Sequence, residues 1–302
     1  MLDYRMDTFL AVCRKMNFTK AAQELNITQP AVSQHIRFLE EVYQVRLFEF
    51  KGKKMFLTQE GRMLQNFAMT MKHDDIFFRK ELRELGNSNK KLVFGATLTI
   101  GGFIITKYVA EFLKRYPNTD IQMTVANTHE LLELLNTGKV DFALIEGYFR
   151  KKEYDYLVYS REPYICVCGA GYSFQKEPRL FEDLLGERLI VREPESGTRE
   201  VLERFMESRN LSMEEFHHQS EVSSINVIKY LAISGCGITF LYETAVKKEL
   251  EEGTLRKVEL EDFQMTHDLT FVWRKGSIFA DRYYKLFELF RDGDIPVKEK
   301  QR

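Results

Sequence analysis

Residues 28–37, Thr-Gln-Pro-Ala-Val-Ser-Gln-His-Ile-Arg, predict the first turns of an amphipathic helix. Thr28 is a good helix N-cap, and Pro30 falls in the first turn, where the missing N–H of proline is harmless. Apolar residues recur at helical spacing to about Tyr43, so one face of this helix should be buried. The opposite face carries side chains that can contact base edges in the major groove of DNA: Gln29, Ser33, Gln34 and Arg37.

Two shorter helices are predicted upstream of this one. Residues 3–15 place apolar side chains at helical spacing, and a second helix, which we expect Thr19 to cap, runs to about Leu25. A tight turn separates the second helix from the third. Downstream, two short strands flank a basic turn at residues 51–54, so we predict an all-α winged helix-turn-helix head over residues 1–58.

The net charge of the chain, −1 from 44 basic and 45 acidic residues, hides a local asymmetry. Residues 1–58 contain nine Lys or Arg and six Asp or Glu, so this segment carries +3 and the remainder −4. The overall balance excludes a protein that is basic throughout, but a weakly basic head is compatible with nucleic-acid binding. On charge alone, a solvated three-helix bundle is an equal alternative.

A long helix is predicted from Thr58 to about residue 85. Its apolar residues recur with 4-3 spacing, which predicts pairing with another helix: Leu64, Ala68, Met71, Phe78, Leu82 and Leu85. The alternative is that this stripe packs on the chain's own domain. Because residues 86–90 have the composition of a linker, we expect residues 59–89 to form a dimerisation helix and hinge.

From Leu92 onward the pattern changes to alternating strands and helices, which is typical of a parallel sheet covered by helices. Two such runs and a late return segment predict an α/β effector domain with two lobes and a cleft, similar to a periplasmic binding protein. Lobe 1 is predicted to comprise residues 90–162 plus 267–302, and lobe 2 residues 163–266.

Cysteine content and hydropathy indicate a cytoplasmic protein. Four cysteines in 302 residues are too few for a disulfide scaffold, and Asp3, Arg5 and Asp7 interrupt any signal peptide. The longest uncharged stretch, residues 92–106, is too short to span a membrane. Because the sequence contains no nucleophile elbow, phosphate-binding loop or zinc-ligand pattern, we predict no catalytic residue, metal site or cofactor.

Residues 9–61 resemble the DNA-binding head of LysR-type transcriptional regulators. The match is long and free of gaps, and it is carried by four segments: Asn17–Ala22, Thr28–Glu40, Leu47-Phe48 and Leu57–Gly61. The family usually has an arginine at the position of Phe50. The resemblance implies DNA contacts from the second helix, the third helix and the wing: Thr19, Thr28, Gln29, Pro30, Ser33, Gln34, Arg37, Lys53 and Lys54.

The rest of the chain also resembles this family, at residues 95–101, 116–117, 127–130 and 141–147 in the first lobe and at residues 192–199 and 223–225 in the second. Its Thr-rich first turn looks like that of the regulators of sulfur and related anion metabolism. Several predicted helices begin at hydroxyl-bearing turns, and helix N-termini offer free N–H groups to an anion. Each hydroxyl could instead serve only as an N-cap. With the resemblance, the expected effector site combines these turns with the end of a strand: Thr97, Thr99, Ile100, Thr128, Glu146, Ser196, Gly197, Thr198 and Ser224.

The sequence therefore predicts a transcriptional regulator, not an enzyme, that a small anion or carboxylate controls by binding between two lobes. It is expected to bind a two-fold symmetric site in double-stranded DNA as a homodimer, because operator symmetry mirrors protein symmetry. The resemblance adds a homotetramer as a further assembly, and RNA polymerase is a further expected partner. A solute-binding protein or an enzyme on the same two-lobed fold is the alternative.

Overall fold

The computed structural model describes residues 3–84 and 90–292 of the chain. Within these residues the chain forms an N-terminal head, one long helix and a two-lobed α/β domain. No helix in this described part is both long and apolar enough to cross a membrane. The head and the long helix contain these elements: α1 (Tyr4–Lys15), α2 (Phe18–Leu25), α3 (Gln29–Tyr43), β1 (Phe48–Lys51), β2 (Lys54–Leu57) and α4 (Gln59–Glu84).

Side-chain caps explain where the head helices begin. Thr28 accepts a hydrogen bond from the backbone N–H of Ala31 at 3.3 Å, so α3 starts where the sequence predicts. The expected cap of α2 was wrong, because Asn17 and not Thr19 accepts the bond from the backbone N–H of Lys20, at 2.9 Å. Helix α2 therefore already begins at Phe18, and Thr19 lies within its first turn.

The three helices and the hairpin enclose a small apolar core. Phe9 is completely buried, and its ring centroid lies 5.7 Å from that of Phe48 on the hairpin. Val42 also falls at the helical spacing that predicts the buried face of α3, but it is 56% exposed, because the last turn of α3 extends beyond this core. The buried face of α3 holds three side chains that the helical spacing predicts: Val32, Ile36 and Leu39.

The α/β domain is built on one mixed sheet, which has nine strands within residues 90–292. The strands are β3 (Lys90–Ala96), β4 (Thr119–Val125), β5 (Phe142–Ile145), β6 (Tyr154–Gly169), β7 (Arg188–Val191), β8 (His218–Glu221), β9 (Ile238–Tyr242), β10 (Leu255–Lys257) and β11 (Met265–Arg274). The helices are a π-helical turn (Ile100–Ile104), α5 (Thr106–Arg115), α6 (Thr128–Asn136), α7 (Gly197–Glu207), α8 (Ile225–Ile233), α9 (Glu243–Glu251) and α10 (Ala280–Asp292).

Two long antiparallel strands, β6 and β11, connect the two lobes. We call the half of the domain around β3, β4 and β5 lobe 1, and the half around β7, β8 and β9 lobe 2. The strand order is β4-β3-β5-β11-β6-β9-β7-β8, and β10 pairs with β6. The pairing of β11 with β6 shifts register between Leu269 and Thr270. The sequence predicts β6 only from residue 163, because polar residues at 160–162 interrupt its apolar pattern.

One side of helix α4 packs on its own chain, from Leu64 in the head to Lys80 against lobe 1, which corrects the expectation that the apolar stripe as a whole pairs with another helix. Leu64 and Ala68 are buried in the head core. Phe77 is buried against lobe 1, where its ring centroid lies 4.5 Å from that of Phe279 and 6.3 Å from that of Tyr283. One side of the predicted stripe therefore serves intramolecular packing.

Polar contacts also attach the second half of α4 to lobe 1. Asp74 accepts hydrogen bonds from Ser277 Oγ at 2.7 Å and from the backbone N–H of Ile278 at 2.9 Å. Lys80 pairs with Asp141, which lies just before β5, at 3.0 Å. Because these groups are buried or partly buried, a movement of lobe 1 should carry α4 with it.

A different face of α4 leaves an apolar stripe exposed. The stripe consists of five side chains: Met63, Phe67, Met71, Phe78 and Leu82. Three of the predicted pairing residues, Met71, Phe78 and Leu82, belong to this exposed stripe. Leu64 and Ala68 do not, because they are buried in the head core. Leu85 and residues 86–89 of the predicted linker lie outside the described residues.

Phe77→Ala is expected to lower the free energy of unfolding by about 3–5 kcal/mol, because it leaves a cavity between α4 and lobe 1. Urea denaturation followed by the fluorescence of Trp273, the single tryptophan of the chain, measures this change within lobe 1. Phe50→Ala removes the same side chain from a site that is 65% exposed and should change stability by less than about 0.5 kcal/mol. An unchanged midpoint for Phe77→Ala would contradict the docking of α4.

Candidate functional site

The exposed face of α3 carries the residues that we predict to contact bases. Gln29, Pro30, Gln34 and Arg37 are exposed, and Ser33 is half-buried. The side-chain amide of Gln29 donates to Ser33 Oγ at 2.8 Å, so each side chain fixes the orientation of the other. Glutamine can pair with adenine and arginine with guanine in the major groove. This face therefore has the chemistry and the accessibility for base recognition.

Other exposed groups of the head suit contacts with the DNA backbone. Lys53 and Lys54 are exposed at the tip of the β1–β2 hairpin, and Thr19 and Thr28 are exposed at the starts of α2 and α3. Phe50, on β1, presents an exposed ring where the related heads usually have an arginine. The wing thus offers three exposed lysines, Lys51, Lys53 and Lys54, and an apolar ring in place of a cation at position 50.

Between the lobes, loops that follow three strands converge on the carboxylate of Glu146. Glu146 follows β5, Thr97 follows β3, and Arg192 follows β7 and leads into α7. Ligands of α/β sheets bind at the carboxyl ends of parallel strands. Thr198 Oγ1, on α7, donates to Glu146 Oε1 at 2.8 Å, and this hydrogen bond joins lobe 2 to lobe 1.

Burial controls the ionisation of Glu146. The residue is 1% exposed, and this burial raises the pKa of its carboxyl above the ordinary value of 4.5. The hydroxyls of Thr99, Thr198 and Thr97 and the guanidinium of Arg192 favour the ionised form and oppose the rise in pKa. Two effects on the Glu146 carboxyl therefore oppose each other: desolvation favours its protonated form, and the polar neighbours favour its ionised form.

Two buried tyrosines support this contact between the lobes. Tyr164 donates its hydroxyl to the carbonyl oxygen of Thr198 at 2.8 Å, and Tyr242 donates to that of Glu146 at 3.4 Å. Burial first, and then the charge of Glu146, raises the pKa of both tyrosine hydroxyls well above its usual range. Both hydroxyls therefore remain protonated and available as donors.

Several polar atoms near Glu146 are buried without a hydrogen-bond partner of good geometry. Such atoms are rare in folded proteins, because each costs about 1–3 kcal/mol. Their concentration at one point indicates a site for a polar ligand. The unpartnered atoms are Thr97 Oγ1, Thr99 Oγ1, Glu146 Oε2, Arg192 Nη1 and Ser196 Oγ. We call Thr97, Thr99, Glu146, Arg192, Ser196 and Thr198 the Glu146 cluster.

The N-terminus of α7 lies directly against this cluster. A Cβ added to Gly197 would come within 2.7 Å of the backbone nitrogen of Gly147 and 2.8 Å of Glu146 Cγ, so only glycine fits between the lobes here. Ser196 is the N-cap residue, but its hydroxyl makes no bond to the helix. The first N–H groups of α7 and its positive dipole end are therefore available to an acidic group.

The remaining predicted effector residues have different surroundings. Ile100 is completely buried in the π-helical turn, an irregularity often found at functional sites. Thr128 Oγ1 accepts from the backbone N–H of Gly147 at 3.2 Å, so it supports the loop after β5. Ser224 is half-buried at the N-cap of α8, and within the described residues no hydrogen bond ties it to the Glu146 cluster.

Sequence reasoning missed Arg192, Tyr164 and Tyr242. Arg192 is 2% exposed, and two of its nitrogens donate to the carboxylate of Glu193 at 2.7 and 2.8 Å. Its position directly after a strand, like that of Glu146, was a usable signal. The two tyrosines lie within strands and differ in no visible way from core residues of the same strands.

Comparison with known proteins identifies the family. The profile described as "Bacterial regulatory helix-turn-helix protein, lysR family" matches residues 4–62, and the one described as "LysR substrate binding domain" matches residues 86–293. The chain therefore belongs to the LysR family of bacterial regulators. It is 27% identical to the HTH-type transcriptional activator CmpR of Synechocystis sp. PCC 6803, over 91% of this chain and 90% of that protein.

Solved structures share this fold. Full-length LysG from Corynebacterium glutamicum, with bound effector Arg, matches with a TM-score of 0.61 at 15% identity and covers 96% of this chain and 98% of its own. The regulatory domain of Synechocystis CcmR, in complex with 2-PG, matches with a TM-score of 0.58 at 16% identity and covers 68% of this chain and 98% of its own.

These findings confirm the predicted fold class and family. The relatives are transcriptional regulators and not enzymes, so the alternative of an enzyme on this two-lobed fold does not apply. The chain is a transcriptional regulator with a helix-turn-helix head and an effector-binding domain.

Glu146→Gln is expected to stabilise the folded chain at neutral pH, because it removes a carboxylate whose burial opposes ionisation. The gain should be roughly 1.4 kcal/mol for each unit by which the folded-state pKa is raised. The raised pKa means that the folded state takes up this proton first as the pH falls. The gain should therefore shrink between the folded-state pKa and the unfolded value near 4.5.

Thermal unfolding of both proteins over a pH series measures this difference. Glu207→Gln makes the same substitution at the exposed end of α7 and provides the matched control. A difference in stability that does not change with pH would show that folding does not raise the pKa of Glu146. A loss of stability in Glu146→Gln that appears at neutral pH and disappears in acid would show that the carboxylate is stabilising, and either result would contradict the assignment.

Proposed function

We propose that this regulator selects promoter DNA through the exposed face of α3, and that a small molecule with an acidic group controls it by binding at the Glu146 cluster. The observation that carries the proposal is the group of five unpartnered buried polar atoms, because a chain that only had to fold would not leave them there. We place the protein in the cytoplasm, with the promoter and RNA polymerase as its partners in transcription.

The acidic group of the effector finds its partners in lobe 2. The N–H groups in the first turn of α7, the hydroxyl of Ser196 and the free Nη1 of Arg192 are all donors at the cluster. Donors at a helix N-terminus favour an anion by hydrogen bonding and by the helix dipole. The effector of LysG is an arginine and CcmR was solved with 2-PG, so the fold alone does not decide which acid binds.

Helix α4 would transmit a movement of the lobes to the DNA-binding head. An effector that binds one separation of the lobes more tightly shifts the chain toward that arrangement. Because α4 is fixed to lobe 1 by Phe77, Asp74 and Lys80, it follows that lobe and changes the placement of the head. Promoter bending or occupancy would change accordingly.

Two copies are proposed to meet along the exposed stripe of α4. Contiguous exposed apolar side chains of this kind mark interaction surfaces, and the stripe repeats at helical spacing from Met63 to Leu82. A pair of heads would then bind a two-fold symmetric DNA site. A homotetramer, which the family resemblance suggests, would need a second contact surface.

Gln29→Ala and Ser33→Ala are each expected to abolish selection among DNA sequences, because each loses base contacts worth about 1–3 kcal/mol. Footprinting on the DNA upstream of the protein's own gene, together with selection from a random-sequence pool, measures this loss. Lys53→Ala should instead weaken binding to all sequences and reduce the salt slope by about one. Unchanged footprints for both α3 variants would show that α3 does not read the bases.

Leu82→Ala is expected to weaken the dimer by at least about tenfold, since truncation of a buried interface leucine removes about 2 kcal/mol or more. Sedimentation velocity over a concentration series measures the dissociation constant. Leu180→Ala is a matched control, because Leu180 is 46% exposed in lobe 2 and Leu82 is 50% exposed on α4. Equal dissociation constants for the two variants would show that Leu82 does not contribute to the dimer interface.

A further inference from the structure

Glu146 places a carboxylate in the middle of the proposed effector site. Its Oε1 accepts from Thr198, and its Oε2 is buried without a partner. Across residues 3–84 and 90–292, no lysine, arginine or histidine lies within ion-pair distance of this carboxylate, although the charge of Arg192 favours its ionised form. The ionised form of Glu146 therefore has no cation in direct contact.

Arg192 acts on Glu146 only through its field and forms no ion pair with it. Its Nε and Nη2 donate to the carboxylate of Glu193, which forms a bidentate pair of opposite charges. Only Nη1 remains free, and it can donate a hydrogen bond to a ligand. The cluster thus combines an unpaired carboxylate, which attracts a cation, with an arginine nitrogen and a helix N-terminus, which attract an acid.

We propose that the effector is a small ampholyte whose ammonium group binds Glu146 and whose carboxylate binds the N-terminus of α7, as a free α-amino acid would. This inference rests on the proposed function, because it takes the cleft to be the effector site. Burial already raises the pKa of the Glu146 carboxyl, and a purely anionic ligand in this dry site would raise it further, because it would repel the ionised carboxylate. An ammonium group donates instead to Oε2 and to the Thr97 and Thr99 hydroxyls, which can accept.

The geometry also limits the distance between the two charges of the ligand. The first residue of α7, Gly197, is so close to Glu146 that a Cβ there would lie 2.8 Å from Glu146 Cγ. The cation site and the acid site are therefore adjacent. Ammonium and carboxylate groups on one carbon atom fit this arrangement, whereas a long chain between them would separate the charges too far.

The test uses the full chain and the common L-amino acids, added singly at millimolar concentration in a thermal-shift screen. We expect at least one of them to raise Tm, because binding to the folded state stabilises it. Isothermal titration calorimetry then compares each hit with its deaminated acid and its N-acetyl derivative, which keep the carboxylate but lose the ammonium. Both analogues should bind roughly 30-fold more weakly or worse, as expected when one partner of a buried charge pair is removed.

Glu146→Gln tests the same pair from the protein side. It keeps the size of the side chain and an acceptor for Thr198, but it removes the charge. It should bind the amino acid roughly 30-fold more weakly and should no longer distinguish it from the deaminated acid. Glu207→Gln should bind like the wild type, and circular dichroism establishes that both variants fold.

Two results would overturn the inference: no amino acid raises Tm, or the deaminated acid binds the wild type as tightly as the amino acid does. The analogue series on the wild type decides the matter even if Glu146→Gln fails to fold. Specific DNA binding is measured on the same preparations. Its absence from the wild type would overturn the proposed function, which the ligand titrations do not test.

Discussion

Asp74 accepts hydrogen bonds from Ser277 and from the backbone of Ile278, and these two bonds fix the middle of α4 to lobe 1. Removing them would leave a nearly buried carboxylate without partners, which is strongly unfavourable. The first half of α4 belongs to the head core, so one continuous helix is common to both bodies. The position of the head relative to the effector domain therefore depends on this attachment.

Unlike the contacts of Asp74, the polar groups of the Glu146 cluster are not fully hydrogen-bonded and therefore reduce the stability of the folded chain. Polar atoms elsewhere in the described interior are mostly hydrogen-bonded, whereas this cluster contains five that are not. Its central carboxyl is buried although burial raises its pKa. Proteins keep such unfavourable groups where a ligand is to supply the missing partners. The contact of Thr198 with Glu146 closes the cleft on itself, and a ligand must compete with that contact or complement it.

Local signals predicted the head well, because Thr28, Pro30 and the apolar spacing of α3 act within one helix. The alternation of strands and helices predicted the α/β domain, but the predicted strand β6 began at residue 163 and not at Tyr154. Four residues chosen from hydroxyl-bearing turns, Thr97, Thr99, Ser196 and Thr198, do belong to the Glu146 cluster, whereas Thr128 supports the neighbouring loop and Ser224 lies apart. Tyr164 could not be found, because its role arises only when the strand that carries it packs against α7, 34 residues further along the chain.

Strands β6 and β11 each belong to both lobes, and their pairing runs from Tyr154 and Arg274 at one end to Tyr164 and Met265 at the other. Neither lobe has a complete sheet of its own, so a lobe cannot be exchanged between relatives as a module without breaking this ladder. Changes in the loops at the strand ends, in contrast, alter the effector site and leave this ladder intact. The shared strands thus constrain how this regulator can evolve as well as how it folds.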